Sequence, residues 1–84
     1  MSECVIICRS LTYAQRAERA LTRAGVRAGV MKIKAGLHKE GCAYAVKVQE
    51  RSVEQSMKVL QENNLTPKSL YRVLPGGEYK EFTL

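Results

Sequence analysis

The pattern of apolar and polar positions along the chain predicts four strands and two helices. Four short apolar runs, several of them rich in β-branched residues, are typical of buried strands. Two intervening segments carry apolar residues every three or four positions, which is typical of amphipathic helices. The predicted strands are residues 3–8, 26–33, 42–49 and 69–74, and the predicted helices are residues 12–24 and 52–64.

Capping residues mark the predicted helix ends. Ser10 or Thr12 can accept a hydrogen bond from the first turn of the first helix. Gly25 is the expected stop of that helix, because glycine tolerates the left-handed conformation that often follows a last turn. Ser52 and Gln55 have the spacing of a capping box at the start of the second helix.

The order of the elements is β-α-β-β-α-β, which predicts an α+β, ferredoxin-like fold. A weak repeat with a shift of forty residues, which lays Thr12 on Ser52 and Ala20 on Leu60, agrees with two related halves. Right-handed crossovers then give an antiparallel sheet of order 4-1-3-2, with both helices on one face. Residues 1–75 are predicted to form this single domain. Residues 76–84 are predicted to form a loose tail.

Composition and charge narrow the function classes. The chain has 84 residues, so it builds one small core with little room for an elaborate active site, and we expect a protein that is not an enzyme. Its apolar runs are too short to span a membrane and it shows no signal peptide, so we expect a cytoplasmic protein. The net charge of +6 favours anionic partners. Three cysteines are an odd number, so we expect free thiols.

The predicted topology separates the three cysteines. Cys8 closes the first strand and Cys42 opens the third, and these strands are antiparallel neighbours, so the two thiols are expected to lie close together. The first helix begins beside them, and its positive end favours a thiolate. Cys42 is therefore the candidate reactive thiol and Cys8 a candidate partner thiol; the alternative for each is a small apolar residue of its strand. Cys4, inside an apolar strand, is expected to be a core residue.

Residues of the neighbouring loops are expected to support this thiol. The candidates are Arg9, Ser10, His38, Lys39 and Gly41. We expect no metal and no cofactor: the chain has no C-x-x-C pair, and Cys4 and Cys8 would lie about 13 Å apart along one strand face.

Both faces of the first strand are apolar, although helices are expected to cover only one. Val5 and Ile7 point one way and Cys4, Ile6 and Cys8 the other, so one apolar face is left uncovered, which predicts association, most simply as a homodimer. The alternatives are an adaptor module that binds a protein or a small ligand, and a weak nucleic-acid binder. Tyr44 and its neighbours partly echo an RNA-binding strand signature, but the first strand has no aromatic residue for stacking a base. The arginines of the first helix are most simply a solvated face.

Four segments of the sequence together resemble a known family. They are CVIICRSLTYAQRAERALTRAGV, GCAYAVKV, SVEQSMKVLQENNL and LYRV, between Cys4 and Val73. This stretch is similar to the small bacterial family of Se/S carrier protein-like domains. Cys42 matches the family cysteine, whereas Ala43 replaces the glycine that usually follows it, and Ala35-Gly36 stands where Pro-Arg is usual.

The resemblance implies a thiol carrier. Cys42 would hold sulfur or selenium as a persulfide or selenopersulfide, and a donor or acceptor enzyme would dock over the loop. The positive charge of the chain would suit an acidic partner.

Overall fold

The computed structural model of this protein describes residues 3–33, 43–67 and 69–81. Five strands, two α-helices and one 3₁₀ turn follow one another within these residues. They are β1 (Glu3–Cys8), α1 (Leu11–Arg23), β2 (Gly29–Ile33), β3 (Ala43–Gln49), the 3₁₀ turn Glu50–Ser52, α2 (Val53–Glu62), β4 (Ser69–Val73) and β5 (Tyr79–Glu81). The class is α+β, as predicted.

The described strands form one antiparallel sheet of order β2-β3-β1-β4-β5. Its first four members are the predicted order 4-1-3-2, read from the opposite edge. Cys8 lies opposite Tyr44 of β3, and Ile7 lies opposite Ser69 of β4. β1, the most apolar strand, is therefore hydrogen-bonded on both sides, as a central strand should be.

The structure differs from the predicted loose tail at Tyr79–Glu81, which pair with β4 as β5. The residues after Val73 make a hairpin connection: the Leu74 amide donates to the Glu78 carbonyl at 2.7 Å, and the Gly77 amide donates to the Leu74 carbonyl at 2.8 Å. Gly77 has a φ of 86°, a left-handed conformation that glycine adopts without strain. The glycines thus turn the chain instead of ending the fold. Residues 82–84 lie outside the described residues.

α1 is capped as its sequence predicts. The Ser10 hydroxyl accepts a hydrogen bond from the Tyr13 amide at 3.3 Å, which identifies Ser10 as the N-cap. At the other end, Gly25 has a φ of 85°, and the Val26 amide donates to the Leu21 carbonyl at 2.8 Å. This is a Schellman motif. Val26 is buried as part of this cap, so β2 begins at Gly29 and not at residue 26.

α2 ends in the same way but begins differently. Asn64 takes the left-handed position with a φ of 57°, and the Leu65 amide donates to the Leu60 carbonyl at 2.8 Å. The two helix ends correspond with a shift of 39 residues, one fewer than the repeat predicted. The predicted capping box is wrong: Ser52 makes no side-chain cap, and Gln55 Nε2 instead donates to the Ala24 carbonyl at 3.3 Å, which ties α2 to the end of α1.

The two faces of the sheet pack separately. On the helix face, buried residues of both helices pack against alternate residues of β1 and its neighbours: Cys4, Ile6, Cys8, Ala14, Ala17, Leu21, Val46, Val48, Val53, Leu60 and Leu70. On the opposite face, a second cluster contains no helix residue: Val5, Ile7, Ile33 and Ala45, with Met31, Tyr71, Val73 and Tyr79 half-buried around them. The predicted alternation of β1 is therefore confirmed.

Helices of the described ranges are too short, or too polar, to cross a membrane.

Candidate functional site

The candidate site is the end of the sheet at which β1 ends, α1 begins and β3 begins. Cys8 is the last residue of β1, and only Arg9 and Ser10 separate it from α1. Ala43, the first residue of β3, pairs with Ile33, and Tyr44 pairs with Cys8. The positive end of α1 and the first residue of β3 thus meet at one end of the sheet.

Four of the predicted site residues lie outside the described residues, so their prediction is not tested. They are Cys42, His38, Lys39 and Gly41. Cys42 directly precedes Ala43, the first residue of β3, in the chain.

Cys8 is held as a protonated thiol. Its side chain is only 6% exposed, and its Sγ donates to the Ile6 carbonyl at 3.5 Å. Burial raises the pKa of Cys8 to about 11, because the thiolate would lose its hydration in this apolar surrounding. Since the thiolate is the nucleophile, Cys8 has little reactivity at neutral pH.

Cys4 is a core residue with no exposed surface. Burial is the main cause that raises its pKa; the carboxylate of Glu50 raises it further and the guanidinium of Arg72 lowers it. Glu50 and Arg72 face each other with Oε1 and Nε 2.9 Å apart at the other end of the sheet from Cys8. Both described thiols are therefore buried and free, with no disulfide between them.

Arg9 and Ser10 have local roles at the start of α1. The Ser10 hydroxyl is the N-cap, and the Arg9 guanidinium lies over the Tyr13 ring, 5.7 Å from its centroid. The first turn of α1 contains no acidic residue, so nothing in it offsets the partial positive charge of the helix end. The electrostatic setting that favours a thiolate at this end of the sheet is thus present.

A second feature was not recognised from the sequence. Three arginines of α1 line a cleft of about 340 Å³ between α1 and the end of α2, together with Tyr13, Asn63 and Asn64. The arginines are Arg16, Arg19 and Arg23. Their spacing of i, i+3 and i+7 puts them on one helix face, and this was the available signal. The position of the end of α2 beside them comes only from tertiary packing.

The described ranges contain no group of three or more His, Cys, Asp or Glu side chains that could hold a metal ion.

The fold and the thiols define a small α+β domain with two buried cysteines among the described residues. Residues 3–72 match the family described as "Putative Se/S carrier protein-like". The match covers most of the chain, and the protein belongs to this family. No curated protein matches the chain significantly.

Proposed function

We propose that this protein carries sulfur or selenium on Cys42 and passes it between partner enzymes. Membership of the Se/S carrier family supports the chemistry. The observation that carries the choice of residue is the burial of the other two thiols: Cys4 is 0% exposed and Cys8 is 6% exposed. A carrier needs a thiol that a second protein can reach, and neither of these meets that requirement.

The proposed transfer needs no added oxidant or reductant. The Cys42 thiolate attacks the terminal sulfur of a donor persulfide, a new S–S bond forms on Cys42, and the donor S–S bond breaks so that the donor leaves as a thiolate. A nucleophile of the acceptor then attacks the same terminal atom and releases the Cys42 thiolate. Selenium follows the same course, with a selenopersulfide in place of the persulfide.

The positive end of α1 supports Cys42 as the thiolate. A helix N-terminus lowers the pKa of a neighbouring thiol because its unsatisfied amides stabilise negative charge. Burial does the opposite at Cys8, whose pKa is raised to about 11. In this proposal Cys8 contributes packing below the site, and Cys42 alone changes its covalent state.

We also propose that the domain has a ferredoxin-like layout, has no catalytic activity of its own, and works as a cytoplasmic homodimer. The half-buried rim of the opposite face, with Met31, Tyr71 and Tyr79, supports association. The centre of that face is already buried within the chain, at Val5 and Ile7, so the available apolar surface is smaller than the sequence predicted. Light scattering would test the dimer, and a mass of one chain at every concentration would contradict it.

Intact-mass spectrometry tests the carrier. Wild-type protein is incubated with a cysteine desulfurase and cysteine, and its mass should rise by one sulfur atom that dithiothreitol removes. Cys42→Ser should not gain the atom, whereas the matched control Cys8→Ala should gain it as the wild type does. An unmodified wild type, or a Cys42→Ser protein that still gains sulfur, would exclude the proposal.

A further inference from the structure

We infer that the cleft formed by Arg16, Arg19 and Arg23 binds an acidic, carboxylate-rich segment of a partner protein. This inference deepens the proposed function, on which it rests for the existence of a partner enzyme. It assigns the docking surface to the helix layer instead of the loop that the family resemblance implied.

The cleft concentrates positive charge. Arg16, Arg19 and Arg23 are all exposed, and over seven residues of helix they span about 10 Å. Such close like charges repel one another. No described carboxylate lies within ion-pair distance of any of the three. The site therefore offers three guanidinium groups to an anion, and guanidinium binds carboxylate through paired hydrogen bonds.

The described acidic groups of α1 and of the end of α2 do not line the cleft. Glu18, the only acidic residue of α1, accepts a hydrogen bond from the Val30 amide at 3.2 Å and does not line the cleft. Glu62, at the end of α2, is exposed and is not part of the lining either. The last carbonyls of α2, among them Leu60 and Gln61, already accept hydrogen bonds from its capping amides. The negative end of α2 is thus largely satisfied within the chain.

A protein segment fits the cleft better than a nucleic acid. Single-stranded nucleic acids need aromatic rings on which bases stack. The aromatic residue of this cleft, Tyr13, is half-buried and its ring is faced by Arg9. The basic stripe is about 10 Å long. On the remaining described surface, basic residues are mixed with acidic ones, as in the pairing of Lys47 with Glu3 at 3.4 Å. A short acidic peptide is long enough to use the whole stripe.

The position of the cleft suits the transfer step. Tyr13 lies in the first turn of α1, at the end of the sheet where β3 begins, and Asn63 and Asn64 close the cleft from the end of α2. Tyr13 and Tyr44 both pack against the same core cluster. The Tyr13 end of the cleft therefore lies at the end of the sheet where β3 begins, and the cleft continues along α1 to Arg23 in its last turn.

Fluorescence anisotropy with a labelled hexaglutamate peptide tests the inference. The cleft variant is Arg16→Gln, Arg19→Gln and Arg23→Gln in one chain, since glutamine keeps helix propensity close to that of arginine. The matched control carries Arg27→Gln, Arg51→Gln and Lys58→Gln, three exposed residues outside the cleft. Each variant removes three positive charges from the same net charge of +6. Thermal unfolding of both variants checks that the fold is kept.

We expect the cleft variant to bind the peptide at least about tenfold more weakly, because it loses charge-assisted hydrogen bonds, and the control to change less than about threefold. Equal losses in both variants would mean a diffuse charge effect and overturn the inference. Tighter binding of oligothymidylate than of hexaglutamate, lost only in the cleft variant, would identify a nucleic-acid site and overturn it as well.

Sulfur loading separates this inference from the proposed function. The wild type and both variants are treated with glutathione persulfide, and the gain of sulfur is followed by intact mass. A wild type that binds hexaglutamate in the cleft but never holds sulfur would contradict the carrier and support the cleft. A wild type that holds sulfur but does not bind the peptide would contradict the cleft alone.

Discussion

The difference in burial among the cysteines makes a quantitative prediction about alkylation of the native protein. Iodoacetamide reacts with the thiolate, so its rate follows the thiolate fraction and the access to sulfur. Native protein should therefore be labelled rapidly once, at Cys42, and much more slowly at Cys4 and Cys8. Slow labelling of Cys4 and Cys8 tests the burial seen in the structure, and fast labelling of Cys42 tests the proposed function.

The magnitude for Cys8 follows from its pKa. A pKa of about 11 leaves roughly one side chain in ten thousand as thiolate at pH 7, against about one in a hundred for a pKa of 9.0. Labelling of native Cys8 should thus be about a hundredfold slower than that of an open thiol, before its 6% exposure is considered. Because burial favours the protonated form, the Cys8 rate should rise about tenfold per pH unit until the pH approaches 11.

Time-resolved intact mass measures these rates. Wild type and Cys42→Ser are labelled at pH 7 under native conditions and again in guanidinium chloride, where all thiols become accessible. Native Cys42→Ser should stay unlabelled while the wild type gains one label, and the denatured samples should gain two and three labels. If native Cys42→Ser is labelled within tenfold of its denatured rate, Cys4 and Cys8 are not the buried thiols described here.

Two further predictions concern stability. Gly25→Ala should lower the free energy of unfolding by about 1 kcal/mol, because φ is +85° at Gly25. Gly29→Ala should be neutral or should stabilise the protein by up to about 1 kcal/mol, because Gly29 has open space around it and no positive φ. Equal shifts of the urea midpoint in the two variants would contradict this. Arg19→Glu should stabilise α1 by about 0.5–1 kcal/mol, since repulsions with Arg16 and Arg23 become attractions, and should also abolish hexaglutamate binding. A lower melting temperature would show that the three charges do not repel.

The part of the fold that local pattern determines could be predicted from the sequence. The alternation of β1 correctly puts Val5 on one face and Cys4 on the other, because side chains of a strand point alternately to its two faces. Gly25 correctly ends α1, because a left-handed residue after a helix favours glycine. These signals depend only on neighbours in the chain.

The predictions of the start of β2 and of a loose tail were wrong because one residue type can occupy two kinds of local structure. Val26 is apolar and β-branched and so resembled the start of a strand, but it is buried in the helix cap, where its amide donates to the Leu21 carbonyl. Gly77 lies in the predicted loose tail, but it allows the turn that returns the chain as β5. In both cases a capping or long-range hydrogen bond determines the local structure, and the local sequence does not indicate that bond.

In the candidate site, too, features set by local pattern were predictable and features set by tertiary packing were not. That Cys4 would be a core residue was predictable from its place inside an apolar run. The raised pKa of Cys8 was not predictable, because it depends on how completely its neighbours exclude water at the last residue of the strand. The cleft required Asn63 and Asn64 to be brought beside Arg16, which no pattern in either helix indicates.

The arrangement of charge and burial explains how so small a chain could both dock a partner and accept sulfur near the start of α1. Its central strand buries two cysteines, so their thiols are kept protonated and removed from exchange with persulfides. The positive end of α1 lies at the same end of the sheet, close to the residue that follows Cys42. The three arginines then continue that positive potential along the helix surface, where water screens their repulsion. An acidic partner would relieve this repulsion on docking, so binding and delivery to Cys42 would be favoured by the same electrostatic field.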